Sequence, residues 1–112
     1  MSANLSVPVR QIIELLVAGE YEHVARITRG ERLSAGAIEE TIRDYGRTLI
    51  MPPDTAFEQL DVVRVKDAWP PCWSVRSALW TAEEQRSDLS IELTLTETKG
   101  GYVITLDDIH VL

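Results

Sequence analysis

The sequence has one cysteine, Cys72, which excludes an internal disulfide and any cysteine-only metal site within a single chain. No apolar run approaches the roughly 20 residues that a membrane-crossing helix needs. The segment Met1 to Val9 also lacks the basic region, apolar stretch and small-residue cleavage site of an export signal. A chain with so little thiol and no such signal is expected in a reducing cytoplasm. Basic residues are the scarce charge: 11 Lys and Arg stand against 18 Asp and Glu, a net charge of −7 with His neutral. That balance argues against nucleic acid and anionic membranes as partners, since both attract a positive field. Recognisable chemistry is equally sparse. There is no dinucleotide-binding glycine fingerprint, phosphate loop, zinc-protease helix, nucleophile elbow, calcium loop or zinc-finger spacing. No catalytic residue, cofactor or metal is therefore assigned, and an enzyme is the less favoured reading.

What remains is an ordinary globular composition, 45% hydrophobic and 26% charged in 112 residues. That is one domain, 1–112, without repeats or a dividing linker. A change of period near Pro52-Pro53 separates a helical part, about 6–46, from a sheet part, about 60–112. The first helix is expected to be capped by Ser6 with Pro8 in its first turn. Val9, Ile12, Ile13, Leu16 and Val17 form its apolar stripe, and Gly19 ends it. A second helix, Glu20 to Ile27, offers Tyr21, Val24 and Ile27 to the same core and stops at Gly30. In the third, Ser34 is the cap and Leu33 staples onto Ile38. Ile38, Ile42 and Tyr45 face inward, Glu39, Glu40, Arg43 and Asp44 outward, and Gly46 closes the helix.

Arg47 to Ile50 reads as a short extended piece, and Asp54 as the cap of a single turn ending at Phe57. Leu60 to Val65 is a β-branched strand, followed by a Trp69-Pro70-Pro71 loop. Cys72 to Thr81 alternates, with Trp73, Val75, Ser77 and Leu79 on one face and Arg76, Ala78 and Trp80 on the other. Thr81 to Asp88 reads as a loop. Leu89, Ile91, Leu93 and Leu95 then alternate strictly with polar residues, and Thr98-Lys99-Gly100-Gly101 is a hairpin turn. In the last strand Tyr102, Ile104 and Leu106 point one way and Ile109 the other, which predicts a bulge at Asp107-Asp108. The expected fold is α+β: three N-terminal helices on one face of a curled, about four-stranded antiparallel sheet, in two layers.

Several strings occur together: Tyr45-Gly46-Arg47-Thr48-Leu49, Pro52-Pro53, Leu79-Trp80-Thr81, Glu83-Glu84, Arg86-Ser87-Asp88-Leu89 and Asp107-Asp108-Ile109-His110-Val111-Leu112. Over nearly the whole chain they resemble a family of small bacterial domains of unknown function. The resemblance implies a bacterial origin and a domain boundary, and it carries no chemistry. The order of helices and curled sheet is also similar to nuclear-transport-factor-like and cystatin-like cones and to several toxin-immunity proteins, a likeness of fold alone.

Two constellations stand out. Glu83, Glu84, Arg86 and Asp88 crowd into the expected loop beside Trp80. Trp73 and Trp80 lie an odd number of positions apart, on opposite sheet faces, so one of them is left to anchor an interface. These residues form an expected partner surface. Asp107, Asp108 and His110, with Tyr45 and Arg47, form the alternative: the polar groups of a pocket between helices and sheet. The leading expectation is a non-enzymatic module that uses its acidity to dock a basic protein partner, with an immunity-type protein as one form of it. The alternatives are a small-molecule-binding or enzymatic cone, and a structural homodimer assembled through the Trp-bearing face.

Overall fold

The computed structural model describes residues 5–29 and 32–112. Helices α1 (Ser6–Val17), α2 (Tyr21–Ile27) and α3 (Ala35–Tyr45) come first. Strands β1 (Leu49–Ile50), β2 (Asp61–Arg64), β3 (Cys72–Thr81), β4 (Gln85–Thr98) and β5 (Gly101–Val111) follow, with a 3₁₀ turn, Asp54–Glu58, between β1 and β2. No helix among the described residues is long and apolar enough to cross a membrane.

Each helix follows from its own ends and stripe. Val9, Ile12, Ile13 and Leu16 are the buried residues of α1, at the i, i+3, i+4, i+7 spacing of one face. Beyond it the Gly19 N–H donates to Leu16 O and the Glu20 N–H to Leu15 O, a Schellman stop that requires Gly19 at φ 75°. Ser6 is the first helical residue and not the cap. Leu5 occupies that position, without a side-chain cap bond, and is itself buried in the core. In α3, Ser34 caps as expected, accepting from the Ala37 N–H at 3.2 Å, and Gly46 ends the helix in the left-handed region. After α2 the left-handed residue is Arg29, at φ 63°; the expected stop, Gly30, lies outside the described residues.

The sheet is open, antiparallel and five-stranded. Its main path runs β1-β3-β4-β5, and β2 pairs with β3 beside β1. The fifth strand is β1, the short extended piece after α3, which adds Leu49 and Ile50 opposite Thr81 and Trp80. The larger departure concerns residues 81–88. The sequence reads as an eight-residue loop, but the chain turns through Ala82–Glu84 alone, and Arg86, Ser87 and Asp88 belong to β4. Polar residues hide this strand because Ser87 takes over part of the ladder. Its hydroxyl donates to Leu79 O at 2.7 Å and accepts from the Leu89 N–H at 3.2 Å, where the β3–β4 register shifts. The bulge expected at Asp107-Asp108 is present. Glu92 pairs with Asp108 and Leu93 with Leu106, leaving Asp107 as the extra residue and turning Ile109 back into the core.

All three helices lie on one face. Val9, Ile12, Ile13 and Leu16, with Val24, Ile38 and Ile42, join one cluster with Trp73, Val75 and Leu79 of β3 and Leu89, Ile91, Leu93 and Leu95 of β4. Phe57 closes the cluster from the 3₁₀ turn, with the Arg10 guanidinium 4.3 Å from its ring centre. Asp54 is the first residue of that turn and not its cap; its carboxylate instead pairs with Arg10 at 3.0 Å. Trp73 meets Tyr102 edge-on, ring centres 6.0 Å apart. The Tyr102 hydroxyl is buried without a hydrogen-bond partner among the described residues.

Truncating Leu93, which is fully enclosed, by Leu93→Ala should lower the unfolding free energy by about 2–5 kcal/mol. The same cut at exposed Val63 should change it by less than about 0.5 kcal/mol. Tyr102→Phe removes the orphan hydroxyl and should raise stability by up to about 1 kcal/mol. Urea denaturation of the three variants checks all of this.

Candidate functional site

The residues singled out by the sequence separate into three places. The first is the junction of α3, β1 and the β3–β4 turn. Glu83 receives the Thr48 backbone N–H at 2.9 Å and the Thr48 hydroxyl at 3.0 Å. These bonds, the Thr48 N–H foremost, hold its carboxyl below the usual carboxylate range. Glu84 receives the Tyr45 hydroxyl at 2.8 Å and accepts from Thr81 Oγ1 at 3.1 Å, while its own N–H donates to Thr81 Oγ1. Partial burial, then the bond to Glu84, pushes the Tyr45 hydroxyl above its ordinary value. Ala82 N–H donates to Thr48 O at 2.9 Å. Two of the acids in the expected partner surface therefore clamp the end of α3 to the sheet. Arg47, beside them, donates to Gly46 O at 3.3 Å, bonding the carbonyl at its own helix end.

The second place is the end of the meander. Asp108 and His110 share the face of β5 turned away from the helices, with His110 Nδ1 3.1 Å from Asp108 Oδ2. That contact lacks hydrogen-bond geometry, and Nδ1 is buried without a hydrogen-bond partner among the described residues. Nε2 lies 3.3 Å from Glu92 Oε2, and Glu92 in turn lies 3.6 Å from Arg76 Nη2. A row of ionisable side chains, Arg76, Glu92, His110, Asp108, thus crosses three strands. Hydrogen bonds fix both aspartates: Asp108 Oδ1 accepts from the Ile109 N–H at 2.9 Å, and Asp107 Oδ2 accepts from the Thr94 hydroxyl at 2.6 Å. Among the described residues no group of three or more His, Cys, Asp or Glu side chains is arranged to hold a metal ion.

The third place is a half-open groove of about 490 Å³ on the same uncovered face. Its origin is a difference in side-chain size. Ala78 and Ser90 are cross-strand partners and make a low floor. The next pair toward the β3–β4 turn is Trp80 and Arg86, and toward the other end it is Arg76 and Glu92. Gln59 and Asp61 form the rim on the β2 side, and Leu112 lines the groove where the chain leaves β5. Ser90 is buried and its hydroxyl donates to Ser77 O at 3.1 Å, which keeps it away from His110, its neighbour on β5.

Trp80 and Arg86 are therefore together in the groove. Asp88 is exposed on β4 behind Arg86, and Glu83 and Glu84 are in the turn. Trp73 lies on the opposite, helix-covered face, with 9% of its surface exposed, which leaves Trp80 as the tryptophan available to the open face. The volume between helices and sheet, where the alternative reading puts a pocket, is filled by the core cluster. Tyr45, Arg47, Asp107, Asp108 and His110 do not line the groove, although His110 is one strand away from Ser90. Ala78, Ser90, Arg76 and Asp61 were not singled out beforehand. Only the strand register brings the two small residues side by side, and one-dimensional alternation does not show that register.

Glu83 titrates lower in the folded chain than in the unfolded one. Its contribution is therefore complete above about pH 4.3, where glutamate ordinarily titrates, and fades as pH falls through the lower folded value. Glu83→Gln should reduce the thermal midpoint at pH 7, with the gap to the parent narrowing below pH 4, as followed by circular dichroism.

No curated protein and no solved structure matches the chain. The family model of a domain of unknown function, DUF7668, matches residues 13–112, a span that contains the clamp, the ionisable row and the groove. The chain belongs to the DUF7668 family of domains of unknown function.

Proposed function

We propose that this domain is a non-enzymatic binding module whose recognition surface is the uncovered face of its sheet. The observation that carries this reading is the groove over Ala78 and Ser90. An antiparallel sheet with helices on one side normally turns a polar, flat face to water. Here that face is concave, walled by an indole and a guanidinium, and flanked by the exposed Leu112. A half-open cleft with apolar walls and a few placed polar groups is the usual form of a binding site.

The polar groups around it favour holding over chemistry. Ser90 gives its proton to a backbone carbonyl, and the nearest imidazole, His110, is set between two carboxylates. A basic protein partner still gains long-range attraction from the net charge of −7. Glu83 and Glu84 are already engaged within the chain, so contact chemistry favours the groove over the acidic turn.

Filling the groove tests this. Ala78→Trp places a large side chain on the face away from the helices and leaves the core untouched. In a fragment screen read by amide chemical shifts, bound fragments should perturb Trp80, Ser90 and Leu112 in the parent and lose those perturbations in Ala78→Trp. Perturbations that map to another surface and survive the filling would defeat the reading.

A further inference from the structure

We infer that the groove recognises a small planar monoanion, a carboxylate carried on an aromatic or other flat apolar body. This rests on the reading of the groove as the recognition surface and adds the chemistry of its ligand. Three observations converge on it.

The first is an uncompensated charge. The Arg86 side chain has no hydrogen bond or ion pair among the described residues, whereas Arg76, across the floor, is held by Glu92 at 3.6 Å and has Asp61 as its strand partner. Arg76 is thus matched by Glu92 and Asp61, and Arg86 is the lining cation whose side chain is left without a counter-charge among the described residues. One charge matches a carboxylate and falls short of a phosphate dianion. The guanidinium fork of Arg86 fits the two oxygens of a carboxylate with parallel bonds.

The second is the apolar seat. Trp80 is the direct cross-strand partner of Arg86, so the indole and the guanidinium are immediate neighbours on one face. Ala78 and Ala56 add low apolar surface, and Leu112, two-thirds exposed, borders the same space. A flat ligand with its acid toward Arg86 lays its body over these side chains and gains the stacking that aromatic rings favour.

The third is size. About 490 Å³ is within the roughly 300–1,000 Å³ typical of small-molecule sites, and it is small for a folded partner's epitope.

The test uses the full chain and defined probes: 2-naphthoate, its neutral counterpart 2-naphthamide, and inorganic phosphate, each followed by the indole N–H resonance of Trp80. Naphthoate should saturate with a Kd on the order of 1 mM, as expected for a ligand of its size. Naphthamide and phosphate should each bind at least about tenfold more weakly. Arg86→Gln should weaken naphthoate by about tenfold or more, and Arg86→Lys by a smaller factor, because an ammonium keeps the charge and loses the fork. Arg43→Gln, on the exposed face of α3, should leave the affinity unchanged.

Equal binding of naphthoate and naphthamide in the groove would overturn the anion inference and leave the groove standing as a site. Phosphate binding more tightly than naphthoate would overturn the choice of a carboxylate. If naphthoate fails to saturate, or shifts only residues outside the groove, the inference is overturned outright. The comparison of acid with amide needs no variant, so a misfolded Arg86→Gln would not blunt it.

Discussion

Leu89, Ile91, Leu93 and Leu95 point from β4 into the space beneath the helices, and every other element is arranged around their removal from water. β4 is the strand with a long neighbour on each side, β3 and β5. Its inner row therefore lies at the middle of the sheet, where burial is most complete. The stripes of α1 and α3, with Val24 of α2, cover it. Because two-residue alternation puts those four side chains on one face, it also commits Ser90, Glu92 and Thr94 to the other. The groove is a by-product of that commitment. Among the described residues no layer lies above the outer face, and a pair of small residues there becomes a hollow.

The second constraint joins the two halves of the chain. Helix and sheet meet in sequence at Gly46 to Ile50, a stretch with little apolar surface of its own. The carboxylates of Glu83 and Glu84 hold it by reaching back to Thr48 and Tyr45. A carboxylate serves well there because it accepts the Thr48 N–H more strongly than a neutral acceptor would. The acidity of this turn thus has a local purpose.

Much of this architecture was legible in the amino-acid order. The stripe of α1, the Ser34 cap, the Gly46 stop and the strict alternation of β4 each rest on a local rule that the fold obeys. The bulge at Asp107 was also legible, because Leu106 and Ile109 can both be buried only if one residue is skipped. Residues 85–88 were not. Gln85, Arg86, Ser87 and Asp88 have the composition of a loop, and they are a strand because Ser87 supplies hydrogen bonds the ladder lacks. The candidate site was half legible. That one of Trp73 and Trp80 faces away from the helices follows from their parity, but which one it is, the meeting of Ala78 with Ser90, and the freedom of the Arg86 side chain depend on register and on pairing between strands.

The bulge at Asp107 has one more consequence. β5 is the outermost strand on its side of the sheet and is eleven residues long, with backbone donors and acceptors along its free margin. A flat, apolar margin of that length is a template for another chain to add to. The extra residue kinks it midway, and the carboxylates of Asp107 and Asp108 sit at the kink, so an incoming strand meets both a broken hydrogen-bond repeat and two negative charges. The irregularity that returns Ile109 to the core thereby also makes this edge a poorer template for an added strand.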